Sequence, residues 1–251
     1  MEADAALTYD RILGGRVPLW QQKAGFRVGV DAVLLAAAVP AKAGETVLDV
    51  GCGVGSAALC LAARVPGLTL TGVEVQADYA GLARRNAAEN SAAMDVLCAD
   101  IAEPPEALRQ QSFDHVLTNP PYFAPGTRVA ATDAAREGAL AETLPLADWM
   151  TACLRRLRPG GTLTVIQKAL RTRDLLAACD ARVGRTVAKP IVPRVGRDAD
   201  LVIVQATKGA RSPFRLASPL VMHDGDRHIS DSVDYSDQAR AILEAAEPLV
   251  L

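Results

Sequence analysis

The chain has 251 residues, half of them hydrophobic, and a formal net charge of −2. It can bury a proper core, as one large α/β domain or two small ones, and its longest apolar stretch, Ala32 to Val39, is far too short to span a bilayer. The near-neutral total hides an asymmetry: 15 Lys/Arg against 6 Asp/Glu between Thr151 and Ser230, but 11 against 18 before Thr151. The C-terminal half is therefore expected to offer a basic surface to an anionic partner.

Cys52, Cys60, Cys98, Cys153 and Cys179 stand far apart with no C-x-x-C pair, and His115, His223 and His228 add no metal-ligand spacing. A reduced cytoplasmic protein without metal is expected, its cysteines acting as small hydrophobes. No signal peptide is expected, because Glu2 and Asp4 precede any apolar run.

Up to about Gly29 the chain mixes Arg11, Arg16, Lys23 and Arg27 with Tyr9, Trp20 and Phe26 and has little periodicity. This reads as an N-terminal arm packed on a domain, although cations among aromatics also suit single-stranded nucleic acid. An apolar helix follows over Ala32–Val39, with Asp31 placed to cap it. Thr46–Val50 reads as a buried strand, Gly51-Cys52-Gly53-Val54-Gly55 as a glycine-rich turn, and Ser56–Arg64 as a helix, the opening of a nucleotide-binding α/β unit. No Lys-Ser/Thr follows the loop, so a P-loop is excluded. The glycines let a ligand approach the backbone, and Asp49 before them suits an ammonium better than a phosphate.

Thr69–Glu74 is a second strand, whose terminal carboxylate is spaced to accept both hydroxyl hydrogens of a ribose. A helix over Asp78–Glu89 and a strand over Met94–Cys98 lead to Asp100, which could accept from an adenine amine. The strand Phe113–Thr118 then delivers Asn119-Pro120-Pro121-Tyr122. Neither proline has an N–H, so the turn is stiff and rich in acceptors, with an amide oxygen and a backbone carbonyl able to take both hydrogens of an –NH2 group. Tyr122 offers a stacking face worth about 1–3 kcal/mol. Such a turn can also be a mere strand end; all these features falling on the carboxyl rim of one open sheet favour a site.

Phe123 to Leu140 reads as a loop, followed by a helix from about Pro145 to Leu157, a strand over Thr162–Gln167 and a helix over Leu170–Ala181. Strands over Thr186–Pro193 and Leu201–Ala206 are close enough to form an antiparallel hairpin, and Ser236–Glu247 is a final helix.

The run from Val47 to Gly55 resembles the cofactor loop of class I S-adenosylmethionine-dependent methyltransferases, and the Asn-Pro-Pro-Tyr turn resembles that of members methylating a planar nitrogen. With Phe26–Asp31, Lys208-Gly209 and Leu220–Asp224, the chain most resembles bacterial enzymes that methylate adenine N6 in a valine tRNA anticodon loop. The resemblance implies a Rossmann-like α/β fold: a mostly parallel seven-stranded sheet with an antiparallel edge hairpin and helices on both faces. It implies an arm over residues 1–30 and a single domain over 31–251. It assigns S-adenosylmethionine to Asp49, Gly51, Cys52, Gly53, Gly55, Glu74, Val75, Asp100, Ile101 and Asn119, and catalysis to Asn119, Pro120 and Tyr122. The partner is then tRNA or another RNA, with Arg128, Arg136, Lys208 and Arg211 as its expected contacts, and no metal or membrane takes part. A glutamine methyltransferase acting on release factors, a guanine-N2 or DNA-adenine enzyme, and a non-catalytic RNA-binding module are the alternatives.

Overall fold

The structure, a computed structural model, describes residues 6–24, 27–121, 144–225 and 234–251. Its centre is a nine-stranded sheet. Four strands are parallel, β3 (Thr46–Val50), β4 (Thr69–Glu74), β5 (Met94–Cys98) at one edge and β6 (Phe113–Thr118), and β7 (Leu157–Lys168) continues the parallel set. The apolar runs of β3, β4 and β6 are buried on both faces, as strands between two helical layers must be, whereas in the edge strand β5 only Val96 is buried. β8 (Val183–Val192) and β9 (Leu201–Lys208) form the expected hairpin, with β9 antiparallel to both β7 and β8. Two short additions, β10 (Arg215–Leu216) and β11 (Leu220–Val221), pair with the outer edge of β8 and raise the seven expected strands to nine. Strand order is β10-β8-β9-β7-β6-β3-β4-β5, so the chain reverses direction across the sheet between β3 and β6. Open α/β sheets open a crevice at that switch point.

On one face pack α1 (Val30–Ala38), α2 (Ser56–Arg64) and α7 (Asp237–Ala245); on the other lie the short α4 (Glu106–Arg109), α5 (Leu146–Arg156) and α6 (Thr172–Ala178). Helix α3 (Ala77–Glu89) covers β4 and β5. α1 is apolar almost all round and is buried accordingly, Asp31 being its one charged residue.

The expected irregular arm is a β-hairpin, β1 (Leu7–Ile12) with β2 (Val17–Gln22). Its inward residues Val17 and Leu19 are fully buried in the core shared with α1 and α2. Pro18 and the scattered cations hid the period of two. In this two-stranded ribbon Pro18 pairs with Arg11, where an absent N–H is tolerated. Among the described residues, no helix is long and apolar enough to cross a membrane.

Candidate active site

Strand β6 ends in Thr118, a fully buried residue whose hydroxyl donates to the Val50 carbonyl at 2.7 Å and accepts from Trp149 Nε1 at 3.0 Å. The ends of β6 and β3 and the first turns of α5 are thereby tied together beneath the Asn119-Pro120-Pro121 turn. Two buried side chains hold that turn. Asn119 Nδ2 donates to Asp31 Oδ2 at 3.0 Å, while Asp31 Oδ1 accepts the Ala32 N–H at 3.2 Å. Asp31 is not the N-cap expected of it: α1 begins at Val30 with Gly29 as cap, so the carboxylate lies within the first turn, where the helix dipole favours a negative charge.

From the other side, Gln167 at the end of β7 donates through Nε2 to the carbonyls of Pro120 (3.2 Å) and Pro121 (3.1 Å). Its Oε1 accepts the Lys168 N–H at 2.8 Å, which fixes which end of the amide faces the turn. Neither Gln167 nor Trp149 was singled out from the sequence. The available signal was an amide at the carboxyl end of an otherwise apolar strand.

The glycine loop lies alongside. Gly51 and Gly53 have φ of +70° and +55°, a region that disfavours any side chain, and a Cβ at Gly51 would stand 3.0 Å from Trp149 Cζ2. The turn lets the Gly53 N–H reach Glu74 Oε2 at 3.0 Å, while Glu74 Oε1 accepts from the Gln76 N–H at 2.9 Å. Each carboxylate oxygen keeps acceptor capacity, enough for the two hydroxyls of a ribose. Asp49 is buried, and burial pushes its carboxyl up to about 7, against the Ala58 N–H that lowers it and with Glu74 raising it further. An ammonium beside Asp49 would reverse that shift, so the site fits a cationic amino-acid moiety. Burial likewise drives the Cys52 thiol well above its ordinary range, with Asp49 and Glu74 adding to it, which leaves Cys52 an inert wall.

Asp49, Gly51, Cys52, Gly53, Glu74, Val75, Asp100, Ile101, Asn119 and Pro120 all line one cleft, joined by Asp31, Tyr79 and Trp149. Gly55 does not line it; it caps α2 in a left-handed conformation. Val75 is 61% exposed at the rim, an apolar face where a flat heterocycle would be covered, and Ile101 is buried beneath. Asp100 stands at the rim with Oδ1 accepting the Ala102 N–H at 2.8 Å.

The hairpin reaches the cleft through Leu7 and Trp20, which pack against Val54 and Tyr79, and through a buried amide. Asn86, fully buried on α3, accepts the Trp20 N–H at 2.7 Å and donates to the Trp20 carbonyl (3.1 Å) and the Val54 carbonyl (2.9 Å). β2 and the glycine loop thus share a single clamp.

Tyr122, Arg128 and Arg136 lie outside the described residues. Lys208 and Arg211 do not line the cleft. β9 runs antiparallel to β7 with Thr207 opposite Thr162, so Lys208 emerges at the amino-terminal rim, far from Asn119. There its ammonium donates to the carbonyls of Leu154 (2.8 Å) and Leu157 (2.6 Å), closing the C-terminus of α5. Among the described residues no group of three His, Cys, Asp or Glu side chains could hold a metal.

The sequence model of the methyltransferase small domain matches residues 26–185, a stretch spanning the cleft from before Asp31 to beyond Gln167. The chain belongs to this methyltransferase family. It is an S-adenosylmethionine-dependent methyltransferase with a Rossmann-like fold. The family's relatives include a tRNA1(Val) (adenine(37)-N6)-methyltransferase of Dickeya chrysanthemi, 30% identical over 84% of this chain and 85% of that one. Its counterpart in Aeromonas hydrophila is also 30% identical, over 83% and 87%. The crystal structure of Atu636 from Agrobacterium tumefaciens, a predicted O-methyltransferase, superposes with a TM-score of 0.72 at 27% identity, covering 88% of this chain and 99% of that one.

Proposed function

We propose that this enzyme methylates N6 of an adenine in a tRNA anticodon loop, next to the anticodon. The curated relatives are named tRNA1(Val) (adenine(37)-N6)-methyltransferases and match most of the chain. The observation that carries the reading is the doubly braced Asn119-Pro120 turn at the mouth of the cofactor cleft. With its nitrogen end turned to Asp31, Asn119 would offer its oxygen end to the substrate as one acceptor and the Pro120 carbonyl would be the second. Two acceptors match the two hydrogens of an –NH2 group, whereas a hydroxyl, the acceptor that the description of Atu636 would suggest, offers only one.

An aromatic amine is a poor nucleophile because its lone pair is delocalised into the ring. Asn119 Oδ1 and the Pro120 carbonyl, by accepting both hydrogens, favour a pyramidal nitrogen whose lone pair leaves the ring plane. Gln167 takes up one lone pair of the Pro120 carbonyl and holds the other in a fixed direction. Glu74 and Asp100 would hold the ribose and adenine of the cofactor, and Asp49 its ammonium. Bound S-adenosylmethionine supplies a methyl carbon activated by a positively charged sulfur. The chain's contribution is position and electrostatics, without a covalent enzyme intermediate. A loop base is cheap to unstack, which favours RNA loops over duplex, and tRNA puts the enzyme's work in the cytoplasm.

The test incubates the enzyme with methyl-labelled S-adenosylmethionine and tRNA, ribosomal RNA or release factor from a strain lacking the gene, followed by nucleoside analysis. Label in N6-methyladenosine from tRNA, absent with Asn119→Ala, supports the reading. Label in protein or ribosomal RNA alone would replace it with a glutamine or ribosome-directed activity.

A further inference from the structure

The cations of the C-terminal half do not gather around the cleft. Strand register places Leu157 and Lys208 at the amino-terminal rim of the sheet; Arg155, Arg156 and Arg211 flank those two positions in the chain, and Arg215, opposite Val187 on the adjoining edge strand, stands level with Gln205, a few residues in from the rim. Backbone bonds join the pieces: the Gly209 N–H donates to the Arg182 carbonyl at 2.8 Å, and the Arg185 N–H to the Ser212 carbonyl at 3.0 Å. Arg155, Arg211 and Arg215 are exposed and have no carboxylate within ion-pair distance among the described residues. The crowding is close enough for the charges to oppose one another. After burial, Arg155 and Arg109 further depress Arg156, and Arg182 and Arg156 further depress Lys208. Phe214, half exposed beside Arg215, adds an aromatic ring to the cluster. Mutual repulsion of this kind destabilises a fold unless an anion relieves it.

We propose that this rim is a second RNA-binding surface, which grips the phosphate backbone of the substrate away from the methylated base. β6 runs from one rim to the other over six residues, so the surface lies about 20 Å from the Asn119 turn at roughly 3.3 Å per residue. A target loop alone does not cover that distance, whereas a folded RNA continuing beyond the loop does. Exposed cations with an interleaved aromatic suit a phosphodiester chain. The inference rests on the RNA reading of the cleft, and adds that recognition extends to the opposite side of the sheet.

The test compares wild type with the triple variant Arg155→Gln/Arg211→Gln/Arg215→Gln, whose side chains take no part in the cleft. Unchanged affinity for S-adenosylmethionine establishes that the variant is folded. Binding to intact tRNA and to a synthetic anticodon stem-loop is measured over a range of salt concentrations, together with methylation of each. The expected result is a tenfold or greater loss of affinity for intact tRNA and a salt slope shallower by about 2, at roughly 0.7–0.9 per lost phosphate contact. Stem-loop binding and methylation stay unchanged. Equal affinity and slope for intact tRNA, or an equal loss with the stem-loop, overturns the proposal. Patch-dependent binding of tRNA that no variant methylates would keep the surface and discard the adenine reading. Methylation of intact tRNA at sub-saturating concentration that is indifferent to the patch would do the reverse.

Discussion

Asn119 Nδ2 and Asp31 Oδ2 stand 3.0 Å apart, joining the Asn119-Pro120-Pro121 turn to the start of α1 across 88 positions of the chain. The contact fixes which end of an otherwise symmetric-looking amide faces Asp31. Asp31 is itself confined: a Cβ on Gly29 would lie 2.8 Å from its Oδ1, so a larger residue at that cap would make the carboxylate shift. Asp31→Ala should lower kcat ten- to a hundredfold, as expected for a hydrogen bond to a charged group worth about 1.5–3 kcal/mol. Single-turnover rates on tRNA measure this. A wild-type rate in the variant would show that Asn119 is oriented without Asp31.

Gln167 braces the same turn from beneath. Gln167→Leu keeps the volume but leaves the Pro120 and Pro121 carbonyls and the Lys168 N–H without their side-chain partner. Stability should fall by about 1–3 kcal/mol. The telling readout is kinetic: kcat should fall at least tenfold while S-adenosylmethionine binds as before, since Gln167 lies outside the cofactor cleft. Gln167→Glu should be equally slow, because an ionised carboxylate cannot donate to carbonyls. Gln167→Asn, which can donate at shorter reach, should recover part of the rate. Parallel losses in cofactor affinity and kcat would reduce Gln167 to a packing role.

The central strands were legible because each is an apolar run stopped by residues that cannot extend it, and β3 to β6 have the bounds expected of them. The glycine loop and the carboxylates at the strand ends were legible for the same reason: their positions follow from strand ends alone. Long-range partners were not. Nothing near Asp31 announces Asn119, and nothing near Gln167 announces the two prolines 46 and 47 positions earlier. The basic excess was visible as a count, but its side of the sheet depends on the antiparallel sense of β9, which sends Lys208 away from the cleft.

Asn86 ties the hairpin to the glycine loop at the cleft. Asn86→Asp can still accept from Trp20 but loses both donated bonds, to Trp20 and Val54. A buried carboxylate facing two carbonyls should destabilise the protein by a few kcal/mol, and the glycine loop should loosen with it. The expected outcome is a lower melting temperature together with at least tenfold weaker S-adenosylmethionine binding by calorimetry. Unaltered cofactor affinity in a protein of lowered stability would separate the hairpin from the site.

Asp49 gives the cleft a pH dependence of defined sign. Its carboxyl titrates at about 7 in the folded protein against an ordinary value of 3.8, so at pH 6 most molecules hold a proton that an arriving ammonium must displace. Affinity for S-adenosylmethionine should therefore weaken about tenfold for each pH unit below 7 and level off above it. Stability runs the other way. Between pH 4 and 7 the folded chain binds a proton that the unfolded chain does not, so stability is lost as pH rises through that window, about 4 kcal/mol in all at 1.36 kcal/mol per unit. Asp49→Asn, neutral at every pH, should raise the melting temperature of the cofactor-free protein at pH 8, have little effect at pH 4, and abolish cofactor binding. Calorimetric titrations at pH 6, 7 and 8 beside thermal melts of both proteins test the pair of effects. An affinity flat across that range would show that Asp49 is already ionised before the ligand arrives, and would remove the proton from the binding step.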